Sequence, residues 1–122
     1  MERRVTEDTI HFIRPDGQEA AAMRETVKDG QVLVQLSGTF SGELANDLLD
    51  ELSSLVIAGM GVTVDAEKAE YFSPSISQVF LRINSKLEEK NAFLRIVNLP
   101  MKLYQEFEKT GVHAMLEIEV AK

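Results

Sequence analysis

The sequence predicts an α/β domain, a mixed sheet with an antiparallel hairpin toward its amino terminus and helices packed on the sheet. Three observations carry that prediction. Apolar residues recur at helical spacing in three stretches, led by Leu44, by Ile76 and by Leu103. Between them lie short apolar segments of strand length, of which QVLVQLSG (31–38) alternates most clearly. Strands that alternate with helices imply parallel pairing through helical crossovers. With 122 residues and no internal repeat or linker, residues 1–122 form one domain with one core.

Each element has its own signal. TIHFI (9–13) reads as a short strand, and RPDG (14–17) carries the residues of a type I turn. QEAAAMRETV (18–27) suits a returning strand, although its alanines suit a short helix equally well. KDG (28–30) is a second turn, which makes 18–27 and 31–38 an antiparallel hairpin. Ser41 or Gly42 can start the first long helix, with Glu43 near its positive end. Leu44, Leu48, Leu52, Leu55 and Val56 form its stripe, and Gly59 is placed to end it. GVTVDA (61–66) is a strand, and AEYF (69–72) leads into the next helix. That helix carries Ile76, Val79, Phe80, Ile83 and Leu87 and runs out in KLEEKN. AFLRIVN (92–98) is a strand; Leu99, Leu103, Tyr104 and Phe107 mark a third helix that Gly111 closes; MLEIEV (115–120) is the last strand.

Composition excludes several classes of function. Twenty acidic against thirteen basic residues give a net charge of −7, and no basic stripe offsets it, which argues against nucleic acid as a partner. The absence of cysteine rules out disulfides and thiolate chemistry. No apolar run approaches the roughly 20 residues that span a bilayer, so no direct membrane insertion is expected. MERRVTEDT has no apolar segment behind its charges and is not a secretory signal, so a cytoplasmic location is expected. His11 and His113 lie far apart, without metal-ligand spacing or the makings of a catalytic triad. Gly59 and Gly61 make no phosphate loop. No enzyme, metal or cofactor is expected.

The candidate site is FSPSISQVF (72–80), where a strand gives way to a helix, the usual place for ligands and partners in open α/β sheets. Ser73 suits the cap position, its hydroxyl accepting from an N–H one turn in. Pro74 suits the first helical position, where its missing N–H costs nothing. Helix-start chemistry therefore explains Ser73 and Pro74. A serine that receives phosphate explains the stretch too, because the helix dipole favours the added charge.

From about residue 31 to 116 the chain resembles the STAS domain, the fold of bacterial anti-sigma-factor antagonists and of the cytoplasmic tails of sulphate transporters. QVLVQLSGTFS resembles the strand that leads to the first helix, and VTVDAEKAEYF the central strand with its aspartate and later aromatic. SPSISQVFLRI falls where members carry Asp-Ser-Ser-Gly before an apolar helix. LRIVNLPMKLYQEFEKTGVHAML resembles the closing strand, helix and Thr-Gly-Leu, with Thr110, Gly111 and Val112 in register. Residues 1–30 would be a variable amino-terminal extension, free to lengthen the sheet or cover its edge.

The resemblance implies a protein-binding regulator in a partner-switching signalling pathway that controls transcription. In such antagonists the first serine after the aspartate is phosphorylated by a serine-kinase anti-sigma factor. Counted from Asp65 and Tyr71, Ser73 falls at the aspartate, Pro74 at the phosphoacceptor, Ser75 at the next serine and Ile76 at the glycine. Pro74 has no hydroxyl, which disables the switch at its usual place and leaves Ser73 and Ser75 as substitutes. Asp65 would order a loop rather than act as an acid or base. The expected partner surface comprises Phe40, Ser41, Ser73, Pro74, Ser75, Ser77 and Gln78. The expected partner is an anti-sigma-factor kinase or another STAS protein, and the resemblance also admits a homodimer. A scaffold subunit of a signalling assembly and a soluble STAS subunit of a membrane transporter are the alternatives.

Overall fold

The computed structural model describes residues 1–56 and 60–121, so the expected helix stop at Gly59 lies outside the described residues. Seven strands form one sheet in sequence order: β1 (Glu2–Thr6), β2 (Thr9–Ile13), β3 (Glu19–Lys28), β4 (Gln31–Phe40), β5 (Gly61–Phe72), β6 (Leu94–Leu99) and β7 (Glu117–Val120). The first four pair antiparallel, and β4 through β7 pair parallel. Helices α1 (Ala45–Ser53), α2 (Pro74–Glu88) and α3 (Met101–Thr110) make the three crossovers. The mixed sheet, its antiparallel hairpin and the packed helices are as the sequence predicts.

The amino-terminal residues lengthen the sheet. Residues 19–28 are strand and not helix, because Ala21 and Met23 alternate into the core while β4 supplies the pairing. Asp29 and Gly30, both at positive φ, make the two-residue turn between β3 and β4. The strand β1 has no sequence signal: all five of its residues are exposed, and it pairs with β2 alone. Arg3 ties it to the helical layer through an ion pair with Glu51 of α1.

Helix boundaries depart from the sequence in two places. A 3₁₀ turn, Gly42–Leu44, precedes α1, which ends at Ser53; Leu55 and Val56 follow the helix and still pack on the core. Leu99 ends β6 and does not open α3, because its carbonyl accepts from the Ala121 N–H as part of the sheet edge. Gly111, at φ 78°, closes α3 as expected. The core between sheet and helices includes Val34, Leu36, Val64, Ile96, Leu48, Leu52, Phe80 and Ile83.

β5 runs twelve residues, twice the expected six. Its buried positions follow a period of two through Val62, Val64 and Ala66, then change to three at Ala69 and Phe72. Two register shifts against β4 cause the change, each placing an extra residue on β5. Asp65 stands at the first. Its Oδ1 accepts from the Glu67 N–H at 3.0 Å and from Asn98 Nδ2 at 3.2 Å, so the carboxylate supplies acceptors where the regular ladder is interrupted. Asp65 thus orders a bulge within a strand.

Gly38, opposite Ala69, sits at φ 90°, and a Cβ there would come within 2.5 Å of the Ala20 carbonyl oxygen. Both constraints require glycine. Gly38→Ala is expected to destabilise the fold by about 2–4 kcal/mol, from backbone strain plus overpacking, measured by urea unfolding.

Among the described residues, Glu25 is the one acidic group with a raised pKa. Burial is the main cause and the nearby Glu51 charge adds to it, while Arg3 opposes. Its Oε1 is buried without a hydrogen-bond partner among the described residues. A carboxyl with a raised folded pKa holds its proton better in the folded state. Its ionisation therefore weakens the fold as pH rises from the unfolded value through the folded one. Glu25→Gln is expected to unfold at higher urea than wild type at pH 7, with the difference closing below about pH 4.

Candidate partner-binding surface

The surface forms where the parallel strands end. β4 delivers Phe40 and β5 delivers Phe72 side by side, the last register pair of the two strands. The Ser73 N–H then donates to the Phe40 carbonyl at 3.0 Å, joining the α2 start to the segment before α1. Beneath this junction Phe72 packs against three rings: Phe40 at 5.8 Å between centroids, Phe80 at 5.4 Å edge-on, and Phe107 at 6.2 Å stacked. One aromatic cluster therefore fixes two strand ends, α2 and α3 together.

The expected site residues divide by burial. Pro74, Ser75 and Gln78 are exposed on the first turns of α2, and Ser41 is half-buried beside them. Phe40 is fully buried, and Ser77 is only 3% exposed with its Oγ donating to the Pro74 carbonyl at 2.7 Å. Neither forms part of the outer surface, because the ring cluster and the helix backbone occupy them. Ser73 is also buried, and its cap differs from the expectation. Its backbone is extended, as a cap requires, and its carbonyl accepts from the Ile76 N–H at 2.9 Å. Its hydroxyl makes no cap bond and has no partner among the described residues.

Both serine hydroxyls face Gly42: a Cβ at that residue would lie 3.6 Å from Ser75 Oγ and 4.0 Å from Ser73 Oγ. Gly42 and the 3₁₀ turn thus lie along the α2 start. Other exposed groups at this end escaped the sequence argument. Tyr71 is 44% exposed before the helix, and Met101 is 54% exposed at the start of α3. A shallow groove of about 490 Å³ runs between Arg14, Pro15 and Asp16 of the β2–β3 turn and Ser41 and Glu43. These residues could not be grouped from sequence, since only the sheet order brings residue 15 beside residue 41.

Chemically, the site presents an exposed proline and serine at a helix start with no acidic residue in that helix's first turn. Among the described residues no group of three or more His, Asp or Glu side chains is placed to hold a metal ion. No described helix is long and apolar enough to cross a membrane.

A family sequence model described as Mlab, STAS domain matches residues 23–117, and the chain belongs to this family. The match starts inside β3, so β1 and β2 lie outside it. Solved structures share the fold. An anti-sigma factor antagonist from Mycobacterium paratuberculosis is 15% identical, with a TM-score of 0.72, covering 88% of this chain and 90% of that one. The anti-sigma factor antagonist SpoIIAA in its unphosphorylated form is 13% identical, with a TM-score of 0.67, over 80% of this chain and 88% of that one. The phosphorylated form of SpoIIAA, a Bacillus cell fate determinant, is 13% identical, with a TM-score of 0.61, over 80% of this chain and 91% of that one. A search of curated proteins returns no match.

The aromatic cluster is the support on which the surface rests. Phe72→Ala is expected to cost about 3–5 kcal/mol in urea unfolding, because a buried ring is removed and its cavity cannot collapse against three others.

Proposed function

We propose that this chain is a non-enzymatic protein-binding regulator, an anti-sigma-factor-antagonist-like STAS protein of a partner-switching pathway that controls transcription in the bacterial cytoplasm. Its contact surface is the exposed start of α2, with Pro74, Ser75 and Gln78, joined by Ser41 and the adjacent Gly42–Leu44 turn. In this reading the usual serine switch is absent, and binding is constitutive or controlled by the partner.

One observation carries the reading. Pro74 is exposed at the first position of α2, and the resemblance sets the antagonists' phosphoacceptor serine at this position. The neighbouring hydroxyls are poor substitutes. That of Ser73 is buried, and that of Ser75 faces Gly42, roughly 100° around the helix from Pro74. A kinase that places its phosphate donor over position 74 meets a pyrrolidine ring.

The test uses the native partner, captured from the source cell and identified by mass spectrometry. If that partner is a serine kinase, Pro74→Ser is expected to become its substrate while wild type stays unmodified across residues 73–77. Pro74→Asp is expected to weaken binding roughly tenfold or more, as a charge placed in the contact surface. Efficient phosphorylation of wild type at Ser73 or Ser75 would overturn the absent switch. Recovery with a membrane transporter in place of a soluble kinase would overturn the antagonist reading in favour of a transporter subunit. Recovery in a large multi-subunit complex would favour a scaffold.

A further inference from the structure

Among the described residues the sheet has two free edges of opposite character. At one side β1, Glu-Arg-Arg-Val-Thr, is exposed along its whole length. At the other, β7 presents Glu117, Ile118, Glu119 and Val120 beyond β6. Strand edges carry unpaired N–H and C=O groups that can accept another strand. On β1 two arginines stand against one glutamate. On β7 two glutamates share one cation, Arg95, whose nitrogens lie 2.8 Å from Glu119 and 3.6 Å from Glu117.

We propose that these edges are complementary and join copies of this chain head to tail, β1 of one against β7 of the next. Direction is the first argument. β7 runs parallel to β4, and β1 lies three antiparallel pairings away from β4, so β1 runs opposite to β7. A second copy set beside the first in the same orientation therefore meets it as an antiparallel pair. Length is the second argument, since strands of five and four residues match.

Side-chain facing is the third argument. Arg3 and Val5 lie on the sheet face that α1 covers, in register with Phe12 and Ile10; Arg4 and Thr6 lie on the open face. On β7, Ile118 is paired with buried Ile96 on the helix face, while Glu117 is paired with Arg95 on the open one. One register satisfies both strands. It sets Arg4 opposite Glu119, Thr6 opposite Glu117, Val5 opposite Ile118 and Arg3 opposite Val120. Arg4 and Glu119 then join opposite charges, Val5 and Ile118 join apolar side chains, and no like charges face each other. The existing ion pair of Arg4 with Glu2 is exposed on both sides, so exchanging it costs little.

Pairing of like edges is worse. Antiparallel β1 against β1 sets Arg4 opposite Arg4 in the register that uses the whole strand; of the two three-residue registers, one sets Arg3 opposite Arg3, and only the other, centred on Val5, keeps like charges apart. Antiparallel β7 against β7 sets Glu119 opposite itself or opposite Glu117. The heterologous contact pairs four residues of each strand without setting like charges opposite, and such a contact repeats into a ring or filament instead of closing as a two-fold dimer.

Light scattering of the purified chain over a range of protein and salt concentrations tests the proposal. The expected mass rises with protein concentration beyond one chain and falls as salt screens the edges. Arg4→Glu and Glu119→Arg, both at exposed side chains, are each expected to weaken association roughly tenfold. The double variant, which swaps the charges, is expected to recover it. Circular dichroism on each variant separates lost association from lost fold. A wild type that stays a single chain at every concentration, or folded single variants that associate as wild type does, would overturn the proposal. Association that stops at two chains would overturn the head-to-tail contact. None of these measurements involves Pro74 or the partner.

Discussion

The packing of Phe72 against Phe40, Phe80 and Phe107 is the interaction on which the α2 start and the adjoining strand ends depend. Each ring comes from a different element, so the cluster positions β4, β5, α2 and α3 against one another in a single contact. The Ser73 N–H to Phe40 carbonyl bond then sets the first turn of α2 on that base. Pro74, Ser75 and Gln78 are presented outward because Ile76, Ser77, Val79 and Phe80 turn inward. An aromatic core thus determines which polar residues reach solvent.

The irregularities of the sheet serve the same end. Without two extra residues in β5, Phe72 would not fall opposite Phe40, and the strand would present its aromatic out of phase with the core. Asp65 makes the first irregularity tolerable by accepting from Glu67 and Asn98. Gly38 allows the facing strand to pass close to the Ala20 carbonyl where the second shift occurs. Asn98, at φ 56°, stands at the matching shift between β6 and β7. The bulges of neighbouring strands are linked through the Asp65–Asn98 hydrogen bond, so the distortion crosses the sheet instead of fraying one strand.

Legibility followed burial. Val32, Val34 and Leu36 alternate because one face of a regular strand is buried, and Ile76, Phe80, Ile83 and Leu87 repeat because one face of a helix is. Those signals were readable. β1 was not, since a fully exposed edge strand buries nothing and leaves no pattern. Residues 69–72 were readable only as a lead-in, because the bulges change the burial period of β5 from two to three. The residues expected at the candidate surface differ in depth. Phe40, Ser73 and Ser77 lie beneath it, and a pattern of serines around a proline does not report which hydroxyls face inward.

By itself, the sequence determined the class of fold, the strand-to-helix junction at Ser73 and the pyrrolidine ring that Pro74 sets at the first helical position. These are local matters of periodicity, capping and covalent structure, decided within a few residues. Tertiary structure alone decided that Ser73 Oγ is buried without a partner among the described residues, that Gly42 lies over Ser75, and that two edges of opposite charge face away from each other. Those facts depend on residues far apart in the chain, brought together by sheet order and by the aromatic packing beneath FSPSIS.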